Sequence, residues 1–145
     1  MADSNDIPGG AARQPVQCLA VAGDGVRLAT FRWGRADAPV LLLVHGYPDN
    51  HTIWLPLIDA LADEFQIIAY DVRGFGASQT PRRLRDYRLE RLANDLEAVI
   101  RATSPGRPVH LLGPRLGFDP VLGGGHQTAS PAVAGVLYQY LRPLP

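Results

Sequence analysis

The chain has 145 residues, 46% hydrophobic and 19% charged, and its 14 basic and 14 acidic side chains balance to a formal net charge of zero. That is enough for one modest domain with a core of its own. The balance leaves no electrostatic footprint for nucleic acid or an anionic membrane, so neither is expected as a partner.

The longest unbroken apolar run, residues 40–44, is far too short to cross a bilayer. The first residues, MADSNDIPGGAARQ, lack the basic start and apolar stretch of a secretion signal. Cys18 stands alone and offers no internal disulfide, so a cytoplasmic location is the default expectation.

Residues 1–15 are polar, contain Gly and Pro and show no period, which predicts a loose tail. Residues 16–34 then show two strand-like runs joined by Asp24-Gly25, a dipeptide that accepts the positive φ angles of a tight hairpin turn. VLLLVHG, residues 40–46, is a continuous apolar run ending in glycine and predicts a fully buried parallel strand. In residues 52–65, Trp54, Leu57, Ile58 and Leu61 fall on one helical face, with Pro56 early enough to be tolerated.

QIIAYDV, residues 66–72, predicts a second buried strand, followed by a Gly/Ser loop. Residues 88–103 form the clearest helix of the sequence. Leu89, Leu92, Ala93, Leu96, Val99 and Ile100 lie on one side and the charges on the other. VHLLG, residues 109–113, predicts a third buried strand. A hairpin followed by strand, helix, strand, helix, strand argues for an α/β fold with a parallel sheet covered on its faces. From Pro114 onward the period is lost, and only residues 132–141 remain apolar enough for a strand or a helical turn. No internal repeat is present.

Two turns carry the candidate site. His45-Gly46-Tyr47-Pro48 follows the first buried strand, and ligands of open α/β sheets sit beyond strand carboxyl ends. Glycine lets the chain bend there, so that a following backbone N–H can face a developing oxyanion. An ordinary strand-ending turn is the alternative. The second turn, Asp71 to Ser78, follows the next strand. Asp71 can accept backbone hydrogen bonds, and Arg73 can pair with Asp71 or another acid. Gly74 and Gly76 permit tight packing, and Ser78 can cap a following turn.

An architectural role is favoured for this second turn. The four histidines, His45, His51, His110 and His126, have no paired spacing that suggests a metal site. His110 alternates with strand residues and reads as structural. The run Gly123-Gly124-Gly125 lacks the Lys-Ser/Thr and the helix of a phosphate cradle.

Taken together, HGYP and DVRGFGAS, with the elements between them, resemble the α/β-hydrolase family, in its epoxide-hydrolase-like branch. The resemblance covers residues 16–113 and implies the N-terminal part of that fold, a partial domain. It implies that the backbone N–H of Tyr47 helps form an oxyanion hole, in a turn shaped by His45, Gly46 and Pro48. Asp71, Arg73, Gly74, Gly76 and Ser78 would support the site. Tyr-Pro after His-Gly is closer to epoxide hydrolases than to haloalkane dehalogenases.

The implied reaction uses a small-molecule epoxide and needs no metal or organic cofactor. An Asp opens the ring to give an ester, and a His-activated water then hydrolyses it, with lid tyrosines on the epoxide oxygen. The family's catalytic His, its acid partner and the lid belong to sequence beyond the resemblance.

The departure comes at Gly113-Pro114-Arg115-Leu116-Gly117. There the family carries a small-x-nucleophile-x-small elbow, usually G-H-D-W-G. Arg115 occupies the nucleophile position and is permanently cationic. Asp119, the nearest carboxylate, is offset and precedes Pro120.

A change of reading frame would account for this; a divergent family member with a natural short C-terminus is the alternative. Residues 113–127, back-translated with permitted codons and relieved of one base after the Gly113 codon, read GHDWGSIQCWEAVT. Residues 135–143 recode similarly into ASYTSTSGP, like the family's next strand and loop. The expectation is an out-of-frame, poorly ordered tail over 114–145 and a truncated, catalytically silent chain whose sheet ends at an uncovered edge. The alternative is an active hydrolase or esterase with a non-standard nucleophile such as Ser78.

Overall fold

The computed structural model describes residues 14–113, together with the backbone of residues 136–140. Strands β1 (Val16–Val21) and β2 (Arg27–Trp33) form the expected antiparallel hairpin. Its connection is longer than a two-residue turn. Gly25 N–H donates to the Ala22 carbonyl at 2.8 Å, and Ala22 N–H closes on the Val26 carbonyl at 2.9 Å. Only Gly25 takes a positive φ, of 83°; Asp24 does not. This is the three-residue hairpin ending in a left-handed glycine rather than the mirror-image two-residue turn.

The order then runs β3 (Val40–Val44), a 3-10 helix (His51–Trp54), α1 (Leu55–Leu61) and β4 (Gln66–Tyr70). A second 3-10 helix (Leu84–Tyr87), α2 (Leu89–Thr103), β5 (Val109–Gly113) and β6 (Val136–Tyr140) complete it. The sheet order is β1-β2-β4-β3-β5-β6. Strands β4, β3 and β5 are parallel, whereas β2 joins β4 and β6 joins β5 antiparallel. The apolar patch near the C-terminus is thus a strand at the edge beyond β5. The rest of 114–145, including Arg115 and Asp119, lies outside the described residues.

Every residue of β3 and β4 is buried, because helices cover both faces. Alternate residues face opposite layers. Val40, Leu42, Val44, Ile68, Tyr70, Val109 and Leu111 pack with Leu96, Val99 and Ile100 of α2. Leu41, Leu43, Ile67 and Ala69 pack with Ile58 and, less buried, Trp54, Leu57 and Leu61. The helical face expected from the sequence is therefore used, although its first turn is 3-10 and α1 proper is only 7 residues long.

In α2 two expectations change. Leu89 is 41% exposed, and Asp95 is fully buried on the side assigned to apolar residues. At the opposite end of the sheet Arg107 donates to the Ala36 carbonyl and Gln66 Oε1, both at 2.8 Å, and to the Ala38 carbonyl. One guanidinium thus ties the approach to β5 to the starts of β3 and β4.

Candidate active site at the strand carboxyl ends

Chain order decides where a site can form. From β3 the chain passes through α1 to β4 on one side. It then returns through α2, across the opposite face, to β5 on the other side of β3. The direction of winding reverses at β3, which makes the carboxyl ends of β3 and β5 the switch point at which open α/β sheets place their ligands. His45-Gly46-Tyr47-Pro48 leaves β3 there, and Gly113 ends β5 beside it.

The β3 turn is anchored by His45, which is 4% exposed. Val72 N–H donates to its Nε2 at 2.9 Å, and its Nδ1 lies 2.9 Å from the Gly46 carbonyl. A backbone N–H can only donate, so Nε2 is the acceptor and the ring is the neutral Nδ1–H tautomer. Asp49 N–H donates to the Gly46 carbonyl at 2.9 Å, closing the turn, and the Tyr47–Pro48 peptide is cis. Tyr47 is 86% exposed, its ring edge-on to Phe75 at 5.7 Å; Phe75 also meets His45 edge-on at 5.8 Å.

Asp71 is the second anchor and is fully buried. Its Oδ1 accepts from His51 N–H at 2.8 Å and lies 2.8 Å from His51 Nδ1, while its Oδ2 accepts from Ala77 N–H at 2.8 Å. Bracing by backbone N–H groups was legible in the sequence; the His51 imidazole was not. That ring also stacks on Phe31, with centroids 3.6 Å apart. Asn50 adds a cap, accepting from Thr52 N–H at 2.9 Å and from its hydroxyl at 2.6 Å. The exits of β3 and β4 are thereby joined twice, through His45–Val72 and His51–Asp71.

Gly76 makes the Asp71 contact possible. It has φ 50°, and a Cβ there would lie 2.1 Å from Asp71 Oδ2. Gly74, at φ 86°, leaves room for the Tyr87 ring, whose hydroxyl donates to the Pro81 carbonyl at 2.8 Å. Ser78 does not cap a following turn. Its hydroxyl donates to the Asp71 carbonyl and accepts from Ala29 N–H at 2.8 Å. Gln79 continues the same service to β2, its N–H donating to the Arg27 carbonyl at 2.9 Å. The Gly/Ser loop thus stands in for a strand where β4 has ended. With 7% exposure and both hydroxyl functions engaged to backbone, Ser78 is held as a structural bridge, and no histidine is among its partners.

Arg73 pairs with Asp95 and Asp24, not with Asp71. Its Nε donates to Asp95 Oδ2 at 2.6 Å and its Nη2 to Asp95 Oδ1, a bidentate fork between fully buried groups. Nη1 reaches Asp24 Oδ2 at 3.0 Å and the Asp86 carbonyl at 2.7 Å. The Asp95 bond holds the guanidinium firmly protonated. The Arg73 hydrogen bond holds Asp24 below the usual carboxylate range, whereas burial pushes Asp95 above it. This buried charge cluster locks the β4 turn to the hairpin and to α2. A groove of about 560 Å³ beside it, lined by Val21, Asp24, Arg73, Arg91 and Ala98, lies at the hairpin edge and not at the β3–β5 switch point.

Residues 39–114 match the model of the alpha/beta hydrolase fold family. The chain belongs to that family. Among curated relatives of this hydrolase-fold chain, "Probable oxidoreductase EphD" of Mycobacterium tuberculosis is 43% identical over 101 residues, covering 70% of this chain and 17% of that protein. Epoxide hydrolase 3 of Xenopus tropicalis is 38% identical, over 59% of this chain and 23% of its own length. The chain thus spans less than a quarter of either relative.

Among solved structures, the epoxide hydrolase VrEH1 from Vigna radiata superposes with a TM-score of 0.67 at 26% identity, over 74% of this chain and 34% of that one. A haloalkane dehalogenase variant, DbeA-M1 from Bradyrhizobium elkanii, gives 0.62 at 28% identity, over 70% and 32%. The hairpin followed by parallel strands and alternating helices is the N-terminal part of this hydrolase fold. Among the described residues no group of His, Cys, Asp and Glu is arranged to hold a metal, and no helix is long and apolar enough to cross a membrane.

Proposed function

We propose that this chain carries the site-framing part of an epoxide-hydrolase-like enzyme whose reading frame is displaced by one base after Gly113, and that in this form it has no hydrolase activity. The observation that carries the reading is the switch point. The chain brings Gly113 to the β3–β5 switch point beside the His45–Pro48 turn, and two residues later supplies Arg115 in place of a nucleophile. A guanidinium has no lone pair to spare for attack and stays protonated.

In the corrected frame an aspartate at position 115 attacks an epoxide carbon. The carbon–oxygen bond breaks, the alkoxide takes a proton from a lid tyrosine, and an alkyl-enzyme ester remains. Water, deprotonated by a histidine later in the chain, adds to the ester carbonyl and releases the diol. Tyr47 N–H serves the oxyanion formed in that second step. The substrate is a small epoxide; neither a metal nor an organic cofactor takes part, and no nucleic acid or membrane is engaged.

The test begins with the gene around codon 114. Removing one base there should open a hydrolase-like frame, and the corrected protein should hydrolyse a small aryl epoxide that the 145-residue chain leaves untouched. A corrected frame without GHDWG, or epoxide turnover by the present chain, overturns the proposal. Ester or epoxide turnover lost on Ser78→Ala would instead support a non-standard serine nucleophile, against which its buried, doubly engaged hydroxyl argues.

A further inference from the structure

We propose that β1 is a homodimerisation edge, two copies pairing antiparallel about a two-fold axis at Leu19. The inference rests on the hairpin alone and is independent of the reading frame after Gly113. Strand β1 ends the sheet. Its sequence, VQCLAV, has no Pro, Gly or charged residue, and Leu19 and Val21 are 61% and 60% exposed. Natural edge strands are normally blunted by one of those devices, and an unblunted one is a template for pairing.

The hydrogen-bond phase of the hairpin fixes which groups are free. Pairs in an antiparallel ladder alternate between bonded and non-bonded. Ala22 bonds Val26, so Ala20–Leu28, Cys18–Thr30 and Val16–Arg32 are the bonded pairs. The N–H and C=O groups of Gln17, Leu19 and Val21 therefore point outward. A two-fold axis at Leu19 pairs Leu19 with its copy and Gln17 with Val21 of the other chain, satisfying all of them.

An axis at Cys18 would set Val21 against Pro15, which has no N–H, and an axis at Ala20 would set Gln17 against Gly23 in the turn. The Leu19 register is the one the strand favours. It also places Leu19 against Leu19 on one face and brings no charge against another. Residues 1–13 are a poor rival for this edge. They contain one β-branched residue, Ile7, followed directly by Pro8-Gly9-Gly10.

Cys18 is the only cysteine, which makes the register measurable on the unaltered 145-residue chain. In the Leu19 register Cys18 faces Ala20 of its partner, and the two Cys18 residues are diagonal neighbours roughly 7–8 Å apart. A bis-maleimide with a two-carbon bridge should give covalent dimers, and light scattering should show a dimer that dissociates on dilution. Leu19→Lys sets two ammonium groups face to face and should cut the crosslinked yield at least about tenfold. Mixing it with Leu19→Glu chains should restore a covalent heterodimer, which a folding defect could not do.

A chain monomeric at every concentration, or crosslinking indifferent to Leu19→Lys, overturns the proposal. So does a spontaneous Cys18–Cys18 disulfide, which marks the Cys18 register. A dimer that forms only after residues 1–13 are deleted also overturns it, because the edge would then belong to the chain's own N-terminus.

Discussion

A methyl group at Gly76 would have to share space with the Asp71 carboxylate, 2.1 Å away, in a backbone conformation that already disfavours a side chain. Gly76→Ala should therefore cost about 2 kcal/mol or more, on the scale of a lost buried carboxylate bond and a strained φ, measured by urea unfolding. The charge cluster gives a larger effect. Asp95→Ala leaves the Arg73 guanidinium buried without its bidentate partner, and removing one member of such a pair costs about 3–5 kcal/mol.

The two acids of the cluster act oppositely with pH. Asp24 is held below its ordinary value of 3.8, so its ionised form contributes stability above that pH, lost as pH falls through the lowered folded-state value. Asp24→Asn should flatten the acid limb of the stability profile below about pH 4. Asp95 is raised by burial. Its ionisation therefore costs stability as pH climbs from about 4 through the folded-state value.

At the scale of elements, α2 is anchored by its C-terminal half. Leu96→Ala should destabilise by about 2–4 kcal/mol, whereas Leu89→Ala should change stability by about 0.5 kcal/mol or less, both read from denaturant midpoints at constant slope. The periodicity of α2 was plain in the sequence because Leu96, Val99 and Ile100 recur at helical spacing. Asp95 was hidden because its partner, Arg73, lies 22 residues away and no local pattern announces a buried ion pair.

The strands β3, β4 and β5 were equally legible, because each is a short, mainly apolar run; β3 and β4 are buried throughout and β5 at alternate residues. The role of His51 was not legible, for the opposite reason. Its place follows from a contact with Asp71 across a helix and a strand, not from its neighbours in sequence. The turns at His45 and Asp71 were legible as turns, but their cross-links, Val72 to His45 and Ala77 to Asp71, belong to the tertiary structure.

At the scale of the molecule, β3 lies between β4 and β5 and is buried on both faces. The amides of Leu41, Leu42 and Leu43 should be among the slowest to exchange with deuterium, and those of β1 among the fastest in the monomer. Pairing at Leu19 should slow the outward amides of Gln17, Leu19 and Val21 while leaving the inward amides of Cys18 and Ala20 little changed. The hairpin edge and the β3–β5 switch point are separated by β2 and β4. The proposed pairing edge and the candidate site therefore occupy different parts of the sheet.

The Asp71 clamp also sets an order in time. Its partners, His51 and Ala77, and the His45–Val72 bond beside it all precede Gly113 in the chain. A ribosome has thus made every residue of this framework before it reaches codon 114, where the proposed frame change lies. A frame change at codon 114 therefore leaves every one of those contacts encoded.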